Sequence, residues 1–366
     1  MRPQLPQFVC MSVAMGESEE DYFTKKERRK EKKRISGRDR SKYKKSEFSK
    51  HIKRQEELQA KKVAKQKTSR GRVLSIYTDG IMVYAHQKKY LCTLRGRLKQ
   101  EQTRSKNLIV VGDFVAFQKA SHDEGVIASI EKRRSVLARK SSNKQKMQLM
   151  AANIDQVLIV ASMVDPILDP TLIDRAIIAA RKGNMRPVIV LNKMDLVDTK
   201  EEEYREFING YQGLRIPILQ ISCRTGQGIE ALMQKMKKKV SVFAGLSGVG
   251  KSSLINAACN LDLAINEVAD KTGRGRHTTT RAHLIRLESG GWCIDTPGIQ
   301  NFGVWELTQQ DLVDHYRDLG RFASNCQYSR CTHTHEPDCA VKRAVEANKL
   351  SSLRYRSYLK LLKSSS

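Results

Sequence analysis

Val240-Ser241-Val242-Phe243-Ala244-Gly245-Leu246-Ser247-Gly248-Val249-Gly250-Lys251-Ser252-Ser253 passes from a β-forming run into Gly-x4-Gly-Lys-Ser and then into a helix-forming stretch, Ser253 to Ala258. Strand, glycine loop and helix in that order predict a phosphate-binding loop. Glycines let backbone N–H groups approach phosphate oxygens, and the helix N-terminus adds positive potential. Gly245, Leu246, Ser247, Gly248, Val249, Gly250, Lys251, Ser252 and Ser253 are therefore expected to contact nucleotide. Lys251 is expected to reach the β/γ-phosphates and assist their chemistry, and the Ser252 hydroxyl to ligate Mg2+. The fold class that follows is α/β, with ligand at the carboxyl ends of the strands.

Reading downstream, Trp292-Cys293-Ile294 is a short strand that ends at Asp295-Thr296-Pro297-Gly298. Asp295 is placed to hold Mg2+, through water, and the Gly298 N–H to face the γ-phosphate. Between the two motifs, Gly273-Arg274-Gly275-Arg276-His277-Thr278-Thr279-Thr280 suits a mobile switch. One of its threonines should close on Mg2+ and the γ-phosphate; Thr279 is favoured, with Thr278 and Thr280 open. Many GTPases follow this Asp-x-x-Gly with a Gln that orients water. Ile299 cannot align water, so intrinsic hydrolysis should be slow. His277 is a candidate catalytic substitute; the other reading makes it a phosphate- or RNA-contacting side chain.

Upstream lies the base-reading half. Pro187 to Leu191 is a strand that ends at Asn192-Lys193-Met194-Asp195. The Asp195 carboxylate can accept hydrogen bonds from guanine N1–H and N2–H2, a donor pair that adenine lacks. Lys193 can lay its stem along the base, and Asn192 can bridge two loops. Ile216 to Ile221 is a further strand, followed by Ser222-Cys223-Arg224-Thr225 as a second guanine-contacting loop. Gln156 to Val160 reads as a strand buried on both faces, with helices over Leu172–Ala180 and Ile229–Lys239. Base recognition thus precedes phosphate recognition, the reverse of an ordinary small GTPase. That order predicts a circularly permuted P-loop GTPase domain over residues 145–303.

The flanks have their own character. The chain has 366 residues and a formal charge of +28, and residues 24–70 alone hold 21 Lys/Arg against six Asp/Glu. Residues 1–70 read as a basic arm that cannot bury enough apolar surface to fold alone, with a polyanion, nucleic acid foremost, as its partner. Residues 71–140 carry five short β runs, the first two split by Thr78-Asp79-Gly80, and predict a small closed barrel of the OB-fold type. Residues 304–366 are helix-prone around Cys326-x4-Cys331-x-His333-x5-Cys339, a Cys3His set for one structural Zn2+, with His335 as the alternative imidazole. The scattered cysteines Cys10, Cys92, Cys223, Cys259 and Cys293 suit a reducing, cytoplasmic compartment. No run approaches the length of a membrane span, and Met1–Gly16 lacks a secretory pattern.

Asp165-Pro166 through Asp174-Arg175, the Asn-Lys-Met-Asp motif, the phosphate loop, Gly-Arg-Gly-Arg-His-Thr-Thr-Thr, Asp-Thr-Pro-Gly and the Cys/His cluster together resemble the circularly permuted GTPases of the RsgA/YjeQ type. The resemblance runs from about residue 71 to 366. It implies an N-terminal OB-fold, a permuted GTPase domain, a C-terminal zinc domain and GTP/GDP with Mg2+. It also implies action in late maturation of the small (30S) ribosomal subunit, contact with its rRNA, stimulation of hydrolysis by the subunit, and His277 in hydrolysis. A monomer without membrane attachment is expected. A competing reading is an RNA-binding assembly module in which hydrolysis is incidental; a weaker one is a GTPase held at a membrane surface by the arm.

Overall fold

The structure, a computed structural model, describes residues 68–96, 98, 108–140, 147–259, 282–295 and 307–364, within the unit Thr68–Ser366. The basic arm up to Lys67, the switch with His277 and Thr279, and Thr296 to Gly298 lie outside the described residues.

Five strands close a barrel in the order β1-β2-β3-β5-β4: β1 Ser69–Ile76, β2 Ile81–Ala85, β3 Lys88–Leu94, β4 Phe114–Lys119 and β5 Glu124–Ile130. Alternate side chains point inward, as the pleat requires, so Val73, Val83, Tyr90, Cys92, Val115, Phe117 and Ile127 form its core. Burial pushes the Cys92 thiol up to about 12, which makes it a packing group rather than a nucleophile. The first strand opens at Ser69, so Ser69 and Arg70 belong to the barrel and not to the arm.

A two-stranded ribbon, β6 Val136–Lys140 with β7 Met147–Ala152, leads out of the barrel. Nothing in the sequence analysis anticipated it. The junction is pinned by buried polar pairs. Asp113, with no exposed side-chain surface, accepts from Arg133 Nε at 2.7 Å and from the Val110 N–H at 2.8 Å. Asn153, left-handed at φ 56°, accepts from the Arg134 N–H and donates to the Gly112 carbonyl.

The sheet that follows has the order β10-β9-β8-β11-β13-β12. Its strands are β8 Gln156–Ser162, β9 Arg186–Asn192, β10 Ile218–Gln220, β11 Val240–Ala244, β12 His283–Arg286 and β13 Trp292–Asp295. All pairs are parallel except β12 with β13. Strands β8 and β11 are buried along their whole length, as expected for the middle of a doubly covered sheet. They also join the base-reading to the phosphate-reading half, with Gln156 Nε2 donating to Ser241 Oγ at 2.9 Å.

Helices α1 Pro170–Lys182 and α2 Glu202–Gln212 cover one face, where Ile173, Ile177, Phe207 and Tyr211 pack. Helices α3 Ile229–Met236 and α4 Lys251–Cys259 cover the other, over Leu158, Val190, Leu232 and Leu254. Helix α1 starts two residues before the expected Leu172, because Asp169 caps it by accepting from the Thr171 N–H and Pro170 opens its first turn. Helix α3 stops at Met236 and not at Lys239: Lys238 turns left-handed at φ 57°, and its N–H goes to the Gly290 carbonyl to bring the chain into β11.

The last described segment forms α5 Gln309–His315, α6 Arg317–Ala323, α7 Ala340–Glu346 and α8 Ser352–Ser364 around Leu312, Tyr316, Leu319, Val341 and Leu361. Thr308 and Asp311 close a reciprocal capping box on α5. This module packs on α1 and α2 through a buried ion pair. Arg354 of α8 (2% exposed) meets Asp174 of α1 (no exposure), while its Nε donates to Asp318 Oδ2 at 2.8 Å. Asp174 also accepts from the hydroxyls of Tyr211, at 2.8 Å, and Tyr316. Burial alone would lower the Arg354 pKa, but Asp174, Tyr316 and Asp318 hold it well above its ordinary value; burial pushes the Asp174 carboxyl up, against the pull of Arg354 and three hydroxyls. Among the described residues, no helix is long and apolar enough to cross a membrane.

Candidate functional site

Strands β9, β11 and β13, with β8 between the first two, end on the same side of the sheet at Asn192, Ala244 and Asp295. The loops that follow them therefore converge on one edge of the sheet, which places sequence motifs more than 100 residues apart within reach of each other.

The phosphate loop leaves β11 with Gly245 at φ 151°, and Gly250 sits at φ 92° just before α4. A Cβ on Gly250 would stand 2.3 Å from Asn192 Nδ2. That close approach serves a bond: Asn192 Nδ2 donates to the Val249 carbonyl at 2.8 Å, tying base-reading strand to phosphate loop as expected. Asn192 is buried, and its Oδ1 is a buried acceptor without a hydrogen-bond partner. Ser252 and Ser253 are exposed on the first turn of α4. The Lys251 ammonium curls over the loop and donates to the carbonyls of Gly245, at 3.1 Å, and Leu246. Burial lowers its pKa. An oriented ammonium, two left-handed glycines and a helix start make a cradle shaped for phosphate oxygens.

Beside it, Lys193 takes φ 61° and Met194 is buried in a single 3-10 turn, Met194–Leu196. That turn presents Asp195. The Ser222 hydroxyl donates to Asp195 Oδ1 at 2.6 Å, so the two candidate guanine loops are directly joined. The Ser222 bond holds the Asp195 carboxyl below its ordinary range, with smaller help from Arg224 and Lys193. Oδ2 is left facing Arg224 at 3.9 Å. Cys223 is half-buried, and burial raises its thiol pKa. Asp295 ends β13 opposite His283 of β12.

One contributor escaped the sequence analysis. The loop after β8 turns on Ser162, whose Oγ accepts from the N–H groups of Val164 and Asp165, and Asp165 Oδ2 accepts from Lys193 Nζ at 3.0 Å. Asp165-Pro166 had marked the resemblance, but no spacing rule ties it to Lys193, 28 residues on.

In the C-terminal module, one ligand atom each from Cys326, Cys331, His333 and Cys339 falls within 4.8 Å of the others. Zn–S of about 2.3 Å and Zn–N of about 2.05 Å in a tetrahedron require S···S near 3.8 Å and S···N near 3.6 Å. Cys326 Sγ to Cys339 Sγ is 3.8 Å, Cys326 Sγ to His333 Nδ1 is 3.6 Å, and Cys339 Sγ to His333 Nδ1 is 3.4 Å. The donors fit zinc. Geometry also separates the two imidazoles: His333 is buried in the cluster, while His335 is exposed and its Nδ1 lies 3.0 Å from Thr334 Oγ1. Around the cluster, Tyr355 of α8 donates to the His333 carbonyl at 2.7 Å. Glu336 accepts from the Thr332 and Thr334 N–H groups. Burial would raise the Glu336 pKa, but these bonds and the Thr332 hydroxyl draw it down to about 2.

Comparison with known proteins agrees with this geometry. A family profile described as RsgA GTPase matches residues 130–305. A "Small ribosomal subunit biogenesis GTPase RsgA" of Chlorobaculum parvum is 41% identical over 273 residues, covering 72% of this chain and 87% of that protein. The protein of that name from Thermotoga maritima is 36% identical over 296 residues, covering 80% of this chain and 95% of its own length. The crystal structure of YjeQ from Thermotoga maritima superposes with a TM-score of 0.67 at 33% identity, covering 81% of this chain and 98% of that one. That of YloQ, a circularly permuted GTPase, gives 0.62 at 26% identity, covering 81% and 95%.

Proposed function

The chain belongs to the RsgA GTPase family, and from that premise we propose that it hydrolyses GTP to GDP and phosphate in the biogenesis of the small ribosomal subunit. The observation that carries the reading is the Asn192–Val249 bond together with the Ser222–Asp195 bond, which assemble a base-reading and a phosphate-reading loop into one site.

In this reading Asp195 accepts from guanine N1–H and N2–H2, Lys193 lies along the base with its ammonium steadied by Asp165, and Asn192 bridges to the phosphate loop. The backbone of Gly245 to Gly250 surrounds the phosphates, and Lys251 turns from the Gly245 and Leu246 carbonyls to the β/γ-phosphate oxygens. Ser252 and Asp295 would hold Mg2+, joined by Thr279, and Gly298 would face the γ-phosphate. When bound, the ion neutralises charge that develops on the phosphoryl oxygens. His277 is the candidate for water positioning. Cys326, Cys331, His333 and Cys339 would hold one structural Zn2+ with no position left for water. The partner is the small subunit, met through its rRNA by the basic arm and the barrel; the protein acts as a cytoplasmic monomer.

GTP turnover measured with and without small ribosomal subunits tests the proposal. Turnover that rises with subunits is expected. Equal turnover in both would leave a subunit-binding assembly factor whose hydrolysis is incidental.

A further inference from the structure

The sequence runs the phosphate-reading half into the C-terminal module, yet the element that packs against that half is the barrel. Strand β12 follows the switch and pairs with β13, whose last residue is Asp295. Both ends of this ladder meet a barrel tyrosine. At the far end, where Arg286 faces Trp292, the Tyr84 ring of β2 stands edge-on to Trp292 with centroids 5.2 Å apart. Arg286 donates to the Tyr84 hydroxyl and sets its guanidinium 5.4 Å from the ring centroid. At the near end His283 faces Asp295, and the His283 ring lies 6.2 Å from that of Tyr77, just past β1. Between them Leu74 of β1 is buried in one cluster with Leu284 and Ile294.

We propose that Tyr84 and Tyr77 are positioning residues for GTP hydrolysis: the barrel clamps the β12–β13 ladder and so fixes where Asp295 is presented to the Mg2+ side of the site. The inference deepens the GTPase reading and rests on it. The argument is one of leverage. Strand β12 is the sheet's edge, paired with β13 through four residue pairs and met by barrel side chains at both ends. Removing the clamp loosens the β12–β13 ladder, while the candidate guanine loops follow β9 and β10 at the opposite side of the sheet. Anything that loads the barrel, such as an RNA backbone, then acts on hydrolysis without touching nucleotide.

The experiment uses the full chain with small subunits. Tyr84→Ala should lower kcat about tenfold or more, as small misplacements of reacting groups do, and raise the Mg2+ concentration for half-maximal turnover about fivefold. GDP affinity measured without Mg2+ should stay within about twofold, since the base-reading half is untouched. Tyr84→Phe, which keeps the ring on Trp292 but loses the Arg286 bond, should recover part of the loss. Arg286→Met alters only the exposed side of the clamp and supplies the same readout should Tyr84→Ala fail to fold. Variants that turn over like the parent, or that lose GDP affinity in step with kcat, overturn the clamp. A parent that never hydrolyses GTP overturns the GTPase reading itself, and the clamp with it.

Discussion

Arg354→Met should loosen the C-terminal module from α1. The guanidinium is 2% exposed and lies between Asp174, with no exposed surface, and Asp318. Methionine matches its stem but leaves the Asp174 carboxylate buried, held by the Tyr211, Tyr316 and Ser357 hydroxyls without a cation. Removing one partner of a buried ion pair costs about 3–5 kcal/mol, because the remaining charge stays desolvated. With a urea m-value of about 3 kcal/mol/M, the unfolding midpoint should drop by about 1–1.7 M. Asp174→Asn in the same chain removes the orphaned charge while its amide oxygen still accepts from a tyrosine hydroxyl. The double variant should therefore be more stable than Arg354→Met alone, a non-additivity of at least about 1 kcal/mol. Circular dichroism in urea on the parent, the two single variants and the double variant measures all of this. A loss below about 1 kcal/mol for Arg354→Met, or strict additivity, would refute the claim that this pair fastens the module to α1.

Five further outcomes follow from the site and its flanks. Elemental analysis should find one zinc per chain, lost in Cys331→Ser together with protection of residues 307–364 from hydrogen exchange; a protected, metal-free module would contradict the structural zinc. Gly250→Ala should weaken GDP binding about ten- to a hundredfold, since φ 92° disfavours alanine and its Cβ would collide with Asn192 Nδ2. Asp195→Asn should weaken guanine binding by about tenfold or more. The Asp195 pKa is lowered in the fold, so its charged form persists as pH falls through the ordinary carboxylate range. GDP affinity should accordingly stay flat there and be lost only below it, whereas a decline that follows an ordinary carboxylate would remove Ser222 from its role. Deleting residues 1–67, which spares β1, should flatten the salt dependence of RNA binding; an unchanged slope would make the arm a solubilising tail.

What could be read from the chain was local in sequence. The phosphate loop, Asn192–Asp195 and the Cys/His cluster announce themselves because each chemistry needs its groups within a few residues, and strands that end at motifs give the sheet. Even the choice between His333 and His335, open on spacing, needed only the fold of one loop. The rest is long-range or compensated. Asp174 and Arg354 are 180 residues apart, and no local rule pairs a buried aspartate with a particular arginine. Lys193 and Asp165 belong to different strands' loops. The β6–β7 ribbon is short, and neither strand carries a clean apolar alternation. Helix ends moved where a cap or a left-handed residue overruled periodicity, at Asp169 and Lys238.

The two flanking modules cross the permutation. In chain order the barrel adjoins the base-reading half and the zinc module adjoins the phosphate-reading half. In space the barrel side chains grip β12 of the phosphate-reading half, and α8 grips α1 of the base-reading half through Arg354 and Asp174. The halves meet through the chain passage from α3 into β11 and through the β8–β11 pairing. Each module fastens to the half that it does not adjoin in the chain, one by packing and the other by a buried charge pair. On the proposed reading, a change in the phosphate-reading half has two exits: by contact into the barrel through β12, and by chain connection into the C-terminal module. The first requires no covalent strain and is confined to a few side chains. Substitutions at Tyr84 should thus separate the two exits, altering hydrolysis while the Asp174–Arg354 fastening, and the stability it supplies, stays as it was.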